Sequence, residues 1–356
     1  MDAKSTRTYE GRTVVRSAAS LMPPVPAPGV VAARRSRGFS ATLAVLGLCA
    51  VLGCSAQPHA EVSDFVDEAL AGLEQGYYAN TPEWEAAVER EKPALQAAQS
   101  VEAAYPILVR LTKVAGGDHS FFSNPEEIAG WTKRYPGGAV PVPTVAYDGE
   151  LAVLAIPAFS STHQEEVRHF LHASEQVFSD DVAESACGWV IDLRATTGGD
   201  MRTMLVSMSP LLDEGTVMTF RDRDGTKTHV VNENRSITWN GDRWGELAEP
   251  TPGFSGKPIA LVQSSATASA GEALILAFRG QDGVETFGEV TSGYTTANKG
   301  VYLSDGSTIT LSFALMGDRS ESFPEGPLEP DQAVTGSYDA PLQAAKEWAS
   351  QQCATP

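Results

Sequence analysis

Residues 258–279 read PIALVQSSATASAGEALILAFR, and their reading sets how the rest of the chain is parsed. The run PIALV at 258–262 is short, apolar and unalternating, as expected of a strand buried on both faces. Small and hydroxyl residues follow at 264–269, and residues 270–279 read as a helix of small and apolar side chains. Strand, tight turn and helix make the repeating unit of a layered α/β core. Ser269 falls at the junction, where a helix N-terminus offers N–H groups and the positive end of its dipole to a developing anion. Ser269 and Glu272 also spell a capping box, which needs no chemistry to explain it. Both readings stand at this point.

Working outward, LAVLAI at 151–156 and GWVIDL at 188–193 are further short apolar strands. Between them, residues 164–178 place Val167, Phe170, Leu171 and Val177 on one face of a helix. Residues 217–244 read as β-hairpins inserted on the core, 308–314 as another strand and 340–348 as a closing helix. Ahead of the core, three helical runs fill residues 61–114 and stop at Gly116-Gly117, a helix C-terminus signal. The expected fold class is α/β: a helical N-terminal unit at 61–130, a core at 131–349 and a tail at 350–356.

Two other segments carry groups able to do chemistry. Gly198-Gly199 ends the strand at 188–193, and a glycine pair leaves backbone N–H groups unshielded toward a ligand oxygen. Arg194 could orient a carboxylate or lock its own loop by a salt bridge. Asp118-His119-Ser120 follows the glycine helix stop. His163, His169 and His172 share one amphipathic helix and face water, whereas His119 sits in a loop from which a general base could reach a distant nucleophile.

Composition narrows the function. The 356 residues hold 26 Lys+Arg against 45 Asp+Glu, a formal charge of −19, which argues against phosphate-neutralising nucleic-acid binding. The first 53 residues run the other way, with seven basic and two acidic side chains. Arg34, Arg35 and Arg37 precede the charge-free run FSATLAVLGLCAVLG at 39–53, which ends at Cys54. This is the layout of a secretory signal, and VLGC at 51–54 resembles a bacterial lipobox, with Cys54 the lipidated residue. Residues 1–53 are then a leader and 54–60 a tether. Removing a net +5 from −19 leaves −24 on the exported chain. The expected location is outside the cytoplasm, in the periplasm or at the cell surface, anchored by lipid at Cys54. Cys187 and Cys353 remain; in an oxidising compartment they could pair, or one could stay buried and the other free. No Cys-x-x-Cys spacing points to a metal, and no metal or cofactor is expected.

Taken together, the segments GDHS at 117–120, IDLRATTGG at 191–199 and TASAGE at 267–272 resemble the serine peptidase family of the C-terminal processing (tail-specific) proteases and the tricorn protease. GEVTSG at 288–293, LSDG at 303–306 and EGPLEPD at 325–331 continue the resemblance in the same order. It implies a layered α/β core of the ClpP/crotonase-like type, and an endopeptidase with Ser269 as nucleophile. The N–H of Ala270 and backbone from Gly198 or Gly199 would form its oxyanion hole. Processing proteases use a lysine after the GExxxG segment. Here Tyr294 follows Gly293, and Lys299 is out of step. The tricorn-like branch instead uses a histidine helped by a Ser and a Glu, which implies His119 as base. Glu325 matches the helper carboxylate, and either Asp118 or Ser120 the helper beside the histidine. A neighbouring carboxylate would raise the His119 pKa, so that activity falls below about pH 6. The roughly 30 residues between His119 and Leu151 are too few for the PDZ domain of the processing proteases. Partners implied are a peptide or protein substrate and, through Cys54, a membrane; assembly into oligomers stays open. An esterase, or a non-catalytic binder of peptides or apolar ligands on the same core, is the alternative.

Overall fold

A computed structural model describes residues 58–131, 140–161, 163–178, 181–248, 254 and 256–354. The leader, Cys54 and most of the tether lie outside them. The chain opens with three helices, α1 (Pro58–Leu73), α2 (Pro82–Gln96) and α3 (Val101–Gly116). Ser100 and Thr81 cap α3 and α2, their hydroxyls accepting from Ala103 and Trp84 N–H groups. Then come β1 (Phe121–Ser123), α4 (Pro125–Trp131), β2 (Thr144–Asp148), β3 (Leu151–Ala155), α5 (Gln164–Phe178), α6 (Asp181–Ser185), β4 (Gly188–Asp192) and α7 (Met201–Met208). A four-strand meander follows: β5 (Gly215–Asp222), β6 (Lys227–Glu233), β7 (Ser236–Trp239) and β8 (Asp242–Glu246). The chain closes with β9 (Ile259–Gln263), α8 (Ala270–Phe278), β10 (Val284–Gly288), β11 (Thr296–Tyr302), β12 (Thr308–Gly317), β13 (Gln332–Ala333) and α9 (Ala340–Cys353).

Two sheets result. One has the order β13-β10-β9-β4-β3-β2 and is parallel except for the antiparallel edge pair β2–β3. Its central strands are apolar on both faces because both are covered. Trp189, Ile191, Ile259 and Leu261 point into the main core with α7 and α8, while Val190, Ala260 and Val262 pack under Ala345 and Ala349 of α9. Helix α8 lies between the layers, and all nine of its residues are buried. That burial explains its lack of a polar stripe.

The second sheet runs β1-β12-β5-β6-β7-β8, with β11 also paired to β12. Strand β12 joins two cores: Ile309 and Leu311 pack with α1–α3, whereas Ala314 and Met316 face the main core. The change comes at an irregularity where Ala297 pairs Ala314 but Asn298 pairs Ser312, leaving Phe313 as the extra residue.

The structure is mixed α/β with the expected strands and helices in their places. It differs at the C-terminus, where α9 continues to Cys353, into the segment expected as a tail. That end carries a disulfide: Cys353 bonds to Cys187, just ahead of β4, with Cα atoms 5.6 Å apart. The link fastens the last turn of α9 to the central sheet and closes the question of pairing.

Candidate active site

The β9–α8 turn is held by the strand beside it. Thr267 Oγ1 donates to Leu193 O at 2.9 Å and accepts from Ser264 N–H at 2.9 Å; Ala268 N–H donates to Thr196 O at 3.1 Å. Thus the run of small and hydroxyl residues in TASAGE is bolted to the loop leaving β4. At its apex Ser269 takes φ +53° and ψ −112°, a region that non-glycine residues seldom occupy. Such strain persists only where the surroundings impose it, and it is common at reactive residues. Ser269 is half-buried, and its N–H donates to Glu272 Oε2 at 2.8 Å, so the carboxylate half of the expected capping box is made.

The glycine pair lies directly beside it. A Cβ built on Gly198, at φ +122°, would stand 3.1 Å from Ser269 Cβ and 3.5 Å from its Oγ. On Gly199, at φ +137°, a Cβ would come within 1.9 Å of Phe159 O. At Gly199 only glycine fits; at Gly198 a side chain would be strained by the positive φ and would press on Ser269. Asp200 N–H donates to the same Phe159 carbonyl at 2.6 Å, which fixes the loop. Arg194 locks its base: its guanidinium, 5% exposed, grips Asp192, donates to Tyr338 O and lies 4.1 Å from the Tyr338 ring centroid. Of its two expected roles, the structure shows the locking one.

His119 sits in the loop after α3. With Tyr78, Asp118, Thr296, Glu325 and neighbouring glycines it lines a cavity of about 210 Å³. Ser269 is not among the residues lining that cavity. The two groups are tied through Glu272, which is fully buried and accepts four hydrogen bonds. Oε2 takes the N–H groups of Ser269 and Tyr294, both at 2.8 Å; Oε1 takes Gly293 N–H at 2.7 Å and the Thr291 hydroxyl. Burial pushes its pKa up, and these donors offset that only in part, so it stays raised. Tyr294, held in this way, stacks on the His119 ring.

His119 Nδ1 is paired with the Thr296 hydroxyl at 2.9 Å, not with a carboxylate. Glu325 lines the same cavity and is 3.8 Å from Arg221. Ser120 is buried and turned away, bonded to Ser312 through both its hydroxyl and the Ser312 N–H. The expected upward shift of the His119 pKa is corrected here. Burial pushes it down to about 4, aided by the Lys113 charge, and hydrogen bonding at Thr296 opposes this only in part. Lys299 is directed elsewhere on β11, its ammonium 5.6 Å from the Phe313 ring. Among the described residues no cluster of three His, Cys, Asp or Glu side chains is arranged to hold a metal. Thr296, Ser312, Asn298 and Glu272 escape a reading by motif. Their contacts with Ser120, His119 and the turn span from 3 to 192 residues, and only the capping-box spacing of Glu272 is visible locally.

A strained serine at a strand-to-helix turn, a glycine pair packed on it and a histidine cleft linked to that turn through Glu272 and Tyr294 sit together on a mixed α/β fold. Residues 150–334 match the model of peptidase family S41, and the chain belongs to that family of serine peptidases. A nisin-resistance protein of Lactococcus lactis subsp. lactis is 29% identical over 289 residues, 79% of this chain and 86% of that protein. The carboxy-terminal processing protease CtpA of Bacillus subtilis is 26% identical over 180 residues, but these span only 33% of that longer protein and 49% of this one. Among solved structures, a lipoprotein from Streptococcus agalactiae superposes with a TM-score of 0.70 at 23% identity, covering 87% of this chain and all of that one, which is a likeness of fold.

Proposed function

We propose that this chain is a serine endopeptidase that works outside the cytoplasm, with Ser269 as its nucleophile and His119 as its general base. Ser269 Oγ attacks the peptide carbonyl carbon while His119 Nε2 takes its proton. The oxyanion so formed is held by the N–H of Ala270 and by backbone of Gly198 or Gly199. The C–N bond then breaks, His119 returns the proton to the leaving amine, and water releases the acyl-enzyme. Glu325 and Asp118 act on the base through the shared cavity, and Ser120 acts on it only through Ser312. The observation that carries this reading is the left-handed backbone of Ser269 against Gly198, a strain with no purpose in a helix cap alone.

The nisin-resistance relative suggests nisin as the first peptide to try. For location, the basic leader and the VLGC segment support export and a lipid anchor at Cys54, which lies outside the described residues. Among the described residues no helix is long and apolar enough to cross a membrane. The test is covalent labelling by a fluorophosphonate together with peptide cleavage. Wild type should react at Ser269 and cleave, and Ser269→Ala and His119→Ala should do neither. Wild type that stays unlabelled from pH 5 to 9 while binding peptide points to the non-catalytic reading.

A further inference from the structure

The base of a serine peptidase needs the lone pair of its imidazole on the nitrogen facing the nucleophile, and a chain of side chains behind His119 settles which nitrogen that is. Asn298 Nδ2 donates to the His119 backbone carbonyl at 2.9 Å. This fixes the amide the other way round at its far end, where Oδ1 can only accept, and it accepts from the Ser312 hydroxyl at 2.7 Å. Ser312 has a single hydroxyl hydrogen, so it has none left for Thr296. At the 2.8 Å contact between Thr296 Oγ1 and Ser312 Oγ, Thr296 must therefore be the donor. Ser312 Oγ also accepts from Ser120 at 3.1 Å, so both its lone pairs are used. Thr296, having given its hydrogen away, can only accept from His119 Nδ1 at 2.9 Å.

We infer that Asn298, Ser312 and Thr296 form a one-way hydrogen-bond relay that holds His119 as the Nδ1–H tautomer, leaving the lone pair on Nε2. They are positioning residues: each acts through the imidazole and none meets substrate. The strand geometry makes the relay. Asn298 and Ser312 are direct partners across β11 and β12, and the extra residue Phe313 sets the register that brings Thr296 alongside them. Its catalytic meaning rests on the reading of Ser269 and His119 as nucleophile and base; the tautomer itself does not. Because the relay is built of neutral groups, it orients the base without the carboxylate that the tricorn-like resemblance implies.

The experiment uses the full chain labelled with nitrogen-15 histidine, the His119 signals being assigned by their loss in His119→Gln. At neutral pH the assigned pair should show a protonated Nδ1 and an unprotonated Nε2. An Nε2–H signal or a fast-exchanging mixture overturns the relay. Thr296→Val should convert the signal to a mixture and slow fluorophosphonate labelling of Ser269 on the order of tenfold or more, with Thr296→Ser restoring both. Asn298→Ala, which frees the Ser312 hydrogen to point at Thr296, gives a second route should the valine variant not fold. It should likewise mix the tautomers, and an unchanged spectrum in a folded variant overturns the assignment. Failure of wild type to label while the tautomer is as stated would refute the peptidase reading and leave the relay standing.

Discussion

The imidazole of His119 lies flat against the ring of Tyr294, centroids 4.9 Å apart and planes 7° from parallel. By the resemblance in sequence, Tyr294 falls where the processing proteases have a lysine, and under the proposed reading it supports the base instead of supplying one. Its backbone N–H and that of Ser269 share a single carboxylate oxygen on Glu272. One buried glutamate therefore sets both the turn that carries the serine and the ring that carries the histidine.

Replacing Tyr294 tests that support. An aromatic stack contributes about 0.5–1.5 kcal/mol beyond buried area. Tyr294→Ala should therefore lower kcat/KM by roughly two- to tenfold at neutral pH. Tyr294→Phe should keep nearly all of it, because the stack and not the hydroxyl does the work. Equal losses in both variants would show that the phenol group matters in some other way.

The pH dependence follows from burial. His119 has a folded pKa of about 4, against about 6.5 in the unfolded chain. Lys113, Asp118, Glu325, Tyr78 and Tyr294 are the titratable groups around it; burial is the largest cause of the shift, and the Lys113 charge adds to it. Since the neutral form is the base, activity should hold to about pH 5 and fall near pH 4, instead of failing below 6. A pH profile of kcat/KM checks this, and an inflection at 6 to 6.5 would contradict it. The sign for stability agrees. Below pH 6.5 the unfolded chain takes up a proton that the folded chain refuses. The contribution is whole above that pH and is lost as pH drops toward 4, at most about 3 kcal/mol for this half-buried ring. Urea midpoints of wild type and His119→Gln should converge in that window.

Local patterns made much of this molecule legible. The unalternating runs at 151–156, 188–193 and 258–262 announce strands covered on both faces, and the small-residue helix after Ser269 announces its own burial. What stayed hidden is non-local. Glu272 looks like a cap because its spacing to Ser269 is local, yet three of its four donors come from residues 291–294. The partner of His119 is 177 residues away on β11, in a segment of threonines with no periodic signal. The His119 pKa has the same root: a carboxylate at Asp118 or Glu325 suggested an upward shift, and burial by distant elements produces a downward one.

The glycine pair separates chemistry from folding. At Gly199 an alanine Cβ would sit 1.9 Å from the Phe159 carbonyl oxygen, which is itself held by the Asp200 N–H. Gly199→Ala should cost about 3 kcal/mol or more and appear as a large drop in Tm. At Gly198 the near neighbour is Ser269 Cβ at 3.1 Å, a contact that a small shift of the turn relieves. Gly198→Ala should lose less stability but roughly tenfold to hundredfold in labelling of Ser269, because that shift moves the nucleophile against its oxyanion donors. Comparable activity per folded molecule in both variants would remove the glycine loop from the chemistry.

The disulfide offers the last test, because it acts far from the cavity. Cys187 and Cys353 are separated by 166 residues, and their bond fastens α9 over the face of the sheet opposite α8. Reducing it releases a long loop in the unfolded chain, an effect typically worth about 2–5 kcal/mol. Ala345, Trp348 and Ala349 of α9 still pack on the sheet, so the fold should persist with a lower urea midpoint. Cys353→Ser should match reduced wild type in stability and keep the wild-type labelling rate at Ser269 in the absence of urea. If reduction slows labelling while the chain remains folded, the end of α9 communicates with the β9–α8 turn through β4 and β9, and the separation between anchor and site drawn here is wrong.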